Sequence, residues 1–213
     1  MFAVLLLHVS LAFSQSALLP PAVRATAVAE AAAIWAPRGV LVDDGEPRSP
    51  IVLTVVASAA AAVRSRDKPL GAIVFDAGGT PVPRILLYVS EILRLVRSTP
   101  FLGVDESHWP PSLRETIVGR AVGRVLAHEI GHYVLRSRNH TEDGLMRSFQ
   151  RADDLVGLPR AQFTPAPIED GLVTRGGIET RDADSKEERS ADVDSAAGTA
   201  RAPTGAGARR PRR

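Results

Sequence analysis

The chain has 213 residues, of which 45% are hydrophobic, 5% are aromatic and none is cysteine. This hydrophobic content suffices for one mainly aliphatic core, and the length favours a single domain. The absence of cysteine excludes disulfides, thiolate metal ligands and cysteine nucleophiles. Residues 171–213 hold nine basic and seven acidic residues, so this segment accounts for the whole net charge of +2. The remainder is balanced in charge and gives no indication of nucleic-acid binding.

The chain begins with an apolar run over residues 2–13, followed by the small residues Ser14 and Ser16. The run is shorter than the roughly 20 residues that a membrane-spanning helix needs. Its length and the small residues after it are typical of a secretion signal, although the positively charged start of such signals is missing. We therefore predict a signal peptide over residues 1–16, secretion or periplasmic export, and no stable membrane insertion. A buried N-terminal segment and a cytoplasmic protein are the alternatives.

A helix and several strands are predicted next. The alanine-rich segment after Pro20-Pro21 predicts a helix over residues 22–35. Apolar and β-branched runs then predict strands, and a short helix follows to about Arg97. The predicted strands are residues 40–42, 51–56, 72–75 and 85–89.

A long helix is predicted from Leu113 to about Arg136, and it contains the sequence His-Glu-Ile-Gly-His. His128 and His132 are four residues apart and so lie on the same side of the helix. One metal ion can bind both imidazoles at about 2.0–2.1 Å. Glu129 points about 100° away from His128, where it can act as a base without ligating the metal. The alternative is a helix with two exposed histidines and a solvated glutamate.

Two features around this motif bear on its structure. Gly119 and Gly123 are four residues apart on the predicted helix and allow a neighbouring element to approach closely. His140 follows His132 by eight residues and is our candidate for a third ligand, with Asn139 best able to take the left-handed conformation where the chain turns back. The other candidates for the third ligand are acidic: Glu142, Asp143, Asp153 and Asp154.

Residues 113–148 resemble the metzincin clan of zinc metallopeptidases, in which H-E-x-x-H-x-x-G-x-x-H precedes a Met turn. Here the third histidine comes two residues later than in the clan, and Leu135 stands where the clan has glycine. The resemblance implies a function for five residues: His128, His132 and His140 as Zn²⁺ ligands, Glu129 as the general base, and Met146, in Gly-Leu-Met, as the Met-turn residue.

The resemblance also implies an α+β fold over residues 17–173, with a twisted mixed β-sheet packed on the long active-site helix and an N-terminal helix. An extended peptide or protein substrate would add to an edge strand, for which residues 85–89 are the candidate. The implied function is that of a zinc-dependent endopeptidase, a hydrolase. The alternative is a non-catalytic zinc-binding module that uses the cleft to bind peptides, although such a module would not need Glu129. Residues 174–213 are polar and predicted to be disordered.

Overall fold

The computed structural model describes residues 7–14, 18–45, 49–58, 69–148 and 151–165. These residues form an α+β fold, and the predicted helices and strands are confirmed with small shifts of their ends. The strands are β1 (Leu7–Ser14), β2 (Val40–Asp43), β3 (Ile51–Ser58), β4 (Gly71–Phe75) and β5 (Pro81–Tyr88). The helices are α1 (Pro21–Trp35), α2 (Val89–Arg97), α3 (Pro111–Val134) and α4 (Ala152–Val156).

The five strands form one mixed sheet in the order β2-β1-β3-β5-β4. All neighbouring pairs are parallel except β4 with β5, which are antiparallel. Strand β4 is therefore an antiparallel edge strand. The prediction that residues 85–89 form the edge was wrong, because the tight turn after Phe75 folds β5 back between β4 and β3.

Residues 7–14 lie inside the sheet as β1, between β2 and β3, with Val9 and Leu11 almost fully buried. Residues 7–14 are thus buried in the sheet, as in the alternative of a buried N-terminal segment, and the signal peptide over residues 1–16 stays a prediction. The core of a signal peptide and a buried strand need the same kind of apolar run, so the sequence of residues 7–14 is compatible with both. Cleavage after residue 16 would remove β1 from the sheet. Secretion and periplasmic export stay predictions.

Helices α1 and α3 pack against each other at two glycines of α3. A Cβ atom on Gly119 would lie 2.5 Å from the Cβ of Thr26, and one on Gly123 would lie 2.5 Å from the carbonyl oxygen of Ala27. Both distances are too short for real atoms, so the predicted close approach of a neighbouring element is confirmed. The indole N–H of Trp35 also donates to the carbonyl of Ala127 at 3.0 Å, which fixes α1 against the part of α3 next to His128.

A buried ion cluster joins α1, α3 and the last described segment. Glu30 and Arg124 are 4% and 1% exposed, and the Nε of Arg124 donates to Oε1 of Glu30 at 2.9 Å. Arg160 donates to Oε2 of Glu30 at 2.7 Å. Burial by itself would raise the pKa of Glu30, but hydrogen bonds and charge from Arg160 and Arg124 outweigh it and hold the pKa below its ordinary value. The carboxylate is therefore ionised in the folded protein.

Two remaining predictions concern the membrane and the tail. Among the described residues, no helix is both long enough and apolar enough to cross a membrane. The predicted disordered segment over residues 174–213, and with it the boundary at residue 173, lies outside the described residues.

Candidate metal centre and catalytic base

The C-terminal end of α3 turns the chain back toward the histidines. After the last helical residue, Arg136 adopts a left-handed conformation with φ of 49°. The N–H of Ser137 bonds to the carbonyl of His132, and the N–H of Arg136 bonds to the carbonyl of Tyr133, both at 3.2 Å. These are the two bonds of a Schellman motif, which usually has glycine at the left-handed position. The prediction that Asn139 takes this conformation was wrong, because the helix ends three residues earlier than that reversal requires.

The turn brings the three predicted ligands together. His128, His132 and His140 offer ring nitrogens that all lie within 4.8 Å of one another. Their ring centroids are 4.8 to 5.3 Å apart. Among the described residues, this is the only group of three or more histidines or acidic residues close enough to bind a metal ion. The four acidic candidates for a third ligand, Glu142, Asp143, Asp153 and Asp154, are therefore not part of it.

Two backbone carbonyls orient His128, which is partly buried, and His132, which is buried. The Nδ1 of His128 donates to the carbonyl of Leu145, and the Nδ1 of His132 donates to the carbonyl of Ser137, each at 2.7 Å. A carbonyl only accepts, so each Nδ1 carries the hydrogen and each Nε2 has a lone pair in the neutral ring. The two Nε2 atoms lie 3.1 Å apart. Facing lone pairs at this distance repel unless a cation lies between them.

The donor set therefore fits a divalent metal. Two imidazole ligands of a tetrahedral ion, each at about 2.0–2.1 Å, are about 3.3–3.4 Å apart, close to the observed separation of the two Nε2 atoms. Burial, together with the nearby imidazoles of His132 and His140, lowers the pKa of His128 to about 4, although its hydrogen bond to the Leu145 carbonyl opposes the shift. Burial also lowers the pKa of His132. Both rings are thus neutral at neutral pH, which is the form that binds a metal.

Glu129 lies beside the histidines, on the side of α3 that contacts β4. Its side chain is buried, and burial raises the pKa of its carboxyl group to about 8, while a hydrogen bond from the backbone N–H of Ile73 opposes that rise. Strand β4 can approach this closely because Gly71 has no side chain: a Cβ there would lie 2.8 Å from Cγ1 of Val125 and 3.0 Å from Oε1 of Glu129. Gly71 and Ile73 were not predicted to contribute to the site, and the only available signal was a glycine immediately before the strand predicted over residues 72–75.

Met146 packs against α3 directly next to the site. It is 3% exposed, and a Cβ on Gly131 would overlap its Sδ. The N–H of Thr141 donates to the carbonyl of Met146 at 2.9 Å, and Gly144 has a φ of 72°, so the segment after His140 forms a closed turn. This turn also presents the Leu145 carbonyl that orients His128. The structure thus brings the predicted Met-turn residue to the segment of α3 that carries His128 and His132.

A cavity of about 810 Å³ contains the histidines and Glu129 and extends along β4. The strand forms an edge of the sheet, so its outer side is where an extended chain could pair. Charged side chains around the cavity, apart from Glu129, are arginines. They are Arg94, Arg124, Arg138 and Arg147.

No model of a known protein family matches the chain, and no curated protein matches it significantly. The class of site is therefore defined by its geometry: three histidines close enough to bind one metal ion, next to a buried carboxyl group in a cleft.

Proposed function

We propose that the protein is a zinc-dependent endopeptidase of the metzincin-like type. The observation that carries this proposal is the pair of Nε2 atoms 3.1 Å apart, held by carbonyl hydrogen bonds, with His140 and Glu129 in the same cleft. The antiparallel edge strand and the packing of Met146 against Gly131 support the clan assignment.

Zinc is the metal that this ligand set favours. Three neutral imidazoles suit Zn²⁺, and three protein ligands are typical of catalytic sites because a fourth position stays open for water or substrate. Zinc bound there would supply a Lewis acid that acidifies water and polarises a carbonyl group.

Glu129 is the residue that moves the proton. The carboxylate form is favoured when a cation occupies the neighbouring histidines, and burial makes that carboxylate a stronger base than an exposed glutamate. Glu129 accepts a proton from the attacking water and passes it to the leaving amine. The hydrogen bond from the Ile73 N–H holds the carboxyl group in position between β4 and the histidines.

The edge of β4 positions the substrate. An extended peptide can add to this strand through backbone hydrogen bonds, and these do not depend on its side chains. A peptide in that position would run past Glu129 and the histidines, which line the same cavity as β4.

Metal content and hydrolysis test the proposal together. Purified wild-type protein is analysed for zinc per chain and assayed with a pool of internally quenched peptides. Glu129→Gln is compared with Glu115→Gln, since Glu115 is exposed on the same helix and does not line the cavity. We expect about one zinc per chain in all three proteins. Hydrolysis should fall at least about 100-fold in Glu129→Gln only, because general-base catalysis typically contributes that much.

Three other outcomes would contradict different parts of the proposal. Retained hydrolysis in Glu129→Gln would contradict its function as the base. One zinc per chain in a wild type that cleaves no peptide would favour the non-catalytic binding module. No bound zinc, even after incubation with zinc, would contradict the metal centre and the enzyme with it.

A further inference from the structure

The charges that line the cavity are predominantly positive. The lining includes Arg94, Arg138 and Arg147 and one acidic residue, Glu129, and Arg147 is paired with Asp154 at 2.7 Å. The fourth lining arginine, Arg124, is 1% exposed and pairs with Glu30. With a divalent cation at the histidines, the cavity would carry a positive potential that attracts anionic groups.

Arg138 is the arginine closest to the candidate metal ligands along the chain, two residues before His140. Its guanidinium lies 4.5 Å from the ring centroid of Phe75, at the end of β4. It donates to the backbone carbonyl of Asp76 at 3.5 Å. It forms no ion pair with any residue that the structure describes. The aromatic ring and the carbonyl hold the guanidinium in place while its charge stays available to a ligand.

Arg94 lies toward the opposite end of the same strand. Helix α2 follows β5 directly, and the end of β5 pairs with the start of β4 through Leu87 and Gly71. The side chain of Arg94 is 63% exposed and uses its Nε to bond Glu91 at 3.0 Å. Because β4 has five residues, its two ends are about 14 Å apart. A peptide paired with β4 would therefore pass an arginine at each end.

We propose that Arg138 determines substrate specificity by binding a carboxylate of the peptide close to the bond that is cleaved. This inference rests on the peptidase proposed above. Guanidinium and carboxylate groups match in geometry and form paired, charge-assisted hydrogen bonds, which Arg138 can offer because its position is already fixed. The carboxylate can come from an Asp or Glu side chain or from the C-terminus of a short peptide, and the substrates below distinguish these sources.

The test uses three quenched peptides with one common sequence. The first is neutral and C-terminally amidated, the second carries Glu near the cleaved bond and is amidated, and the third is neutral with a free C-terminal carboxylate. The values of kcat/KM are compared for wild type, Arg138→Gln and Arg97→Gln. Arg97 is exposed on α2 and does not line the cavity, so its replacement changes the net charge equally.

We expect wild type to prefer one carboxylate peptide over the neutral peptide by at least about fivefold. The ratio should fall to about one in Arg138→Gln and stay unchanged in Arg97→Gln. A preference for the second peptide identifies a side-chain carboxylate, and a preference for the third identifies the chain terminus. The inference is overturned if wild type has no preference, if Arg138→Gln keeps it, or if Arg97→Gln loses it equally.

A binding measurement separates this inference from the peptidase proposal. Fluorescence anisotropy gives the dissociation constants of labelled versions of the three peptides with Glu129→Gln and with Glu129→Gln/Arg138→Gln. Selective binding that disappears in the double variant, without hydrolysis by wild type, would refute the peptidase and keep the carboxylate site. Equal affinity for all three peptides would refute the carboxylate site whether or not wild type hydrolyses them.

Discussion

Arg124 anchors the C-terminal described segment to the helix that presents the histidines. It lies on α3 one turn before His128, and its Nε donates to Glu30. Its terminal nitrogens donate to the backbone carbonyls of Asp154, Leu158 and Pro159. Arg124→Met keeps most of the apolar length of the side chain but removes every donor.

The expected cost follows from burial. Removing one partner of a buried ion pair costs about 3–5 kcal/mol, because the other charge stays buried. Glu30 keeps its hydrogen bonds to Arg160, so we expect the lower end, about 3 kcal/mol in the free energy of unfolding. The control is Arg160→Met. The Arg160 side chain is 54% exposed, and its loss should cost about 1 kcal/mol or less.

Urea unfolding followed by far-UV circular dichroism measures these changes, with a chelator present so that metal binding does not contribute. The double variant Glu30→Gln/Arg124→Met should be more stable than Arg124→Met alone, because it removes a buried carboxylate that Arg124→Met leaves with Arg160 as its one guanidinium partner. An Arg124→Met protein within about 1 kcal/mol of wild type, or no more destabilised than Arg160→Met, would refute the reasoning from burial.

Three further predictions concern the metal, the packing and the pH. His140→Ala should weaken zinc binding at least about tenfold by competition with a chromophoric chelator, whereas Asp153→Ala, outside the histidine group, should leave it unchanged. Gly131→Ala should lower the free energy of unfolding by about 1–3 kcal/mol because its methyl group would overlap the Sδ of Met146; an unchanged thermal midpoint would contradict that contact. Because folding lowers the pKa of Glu30, its carboxylate stabilises the fold at pH values above its ordinary pKa of 4.5. This contribution is lost as the pH falls through the pKa of the folded state. When the free energy of unfolding is measured against pH, Arg124→Met should therefore lose less stability in acid than wild type does.

Most of the helices and strands could be predicted because their signals are local. Runs of β-branched residues predicted strands β3 and β4, and apolar residues at helical spacing predicted α1 and α3. The placement of His128 and His132 on one side of α3 needed only the helical repeat. The expectation that Gly119 and Gly123 allow close packing also needed only the helical repeat, and it was confirmed. Two glycines four residues apart lie on the same side of a helix and leave a flat strip there.

Features that depend on distant parts of the chain could not be predicted. Residues 7–14 have the composition of both a signal-peptide core and a buried strand, and their pairing with β2 and β3 depends on residues far along the chain. The order of strands in a sheet is not their order in the sequence, so the edge was assigned to β5 instead of β4. The reversal after α3 was assigned to Asn139 from its intrinsic preference, whereas the Schellman bonds impose it on Arg136.

The α+β composition, the long helix and the two histidines with Glu129 between them follow from local spacing and residue chemistry, so they can be derived from the sequence. Three features depend on the folded chain. His140 joins the other two histidines, the Leu145 and Ser137 carbonyls direct both Nε2 atoms to one point, and β4 buries Glu129. These contacts join segments that no short-range pattern relates. Their geometry exists only once the chain has packed α3 against β4 and closed the turn at Met146.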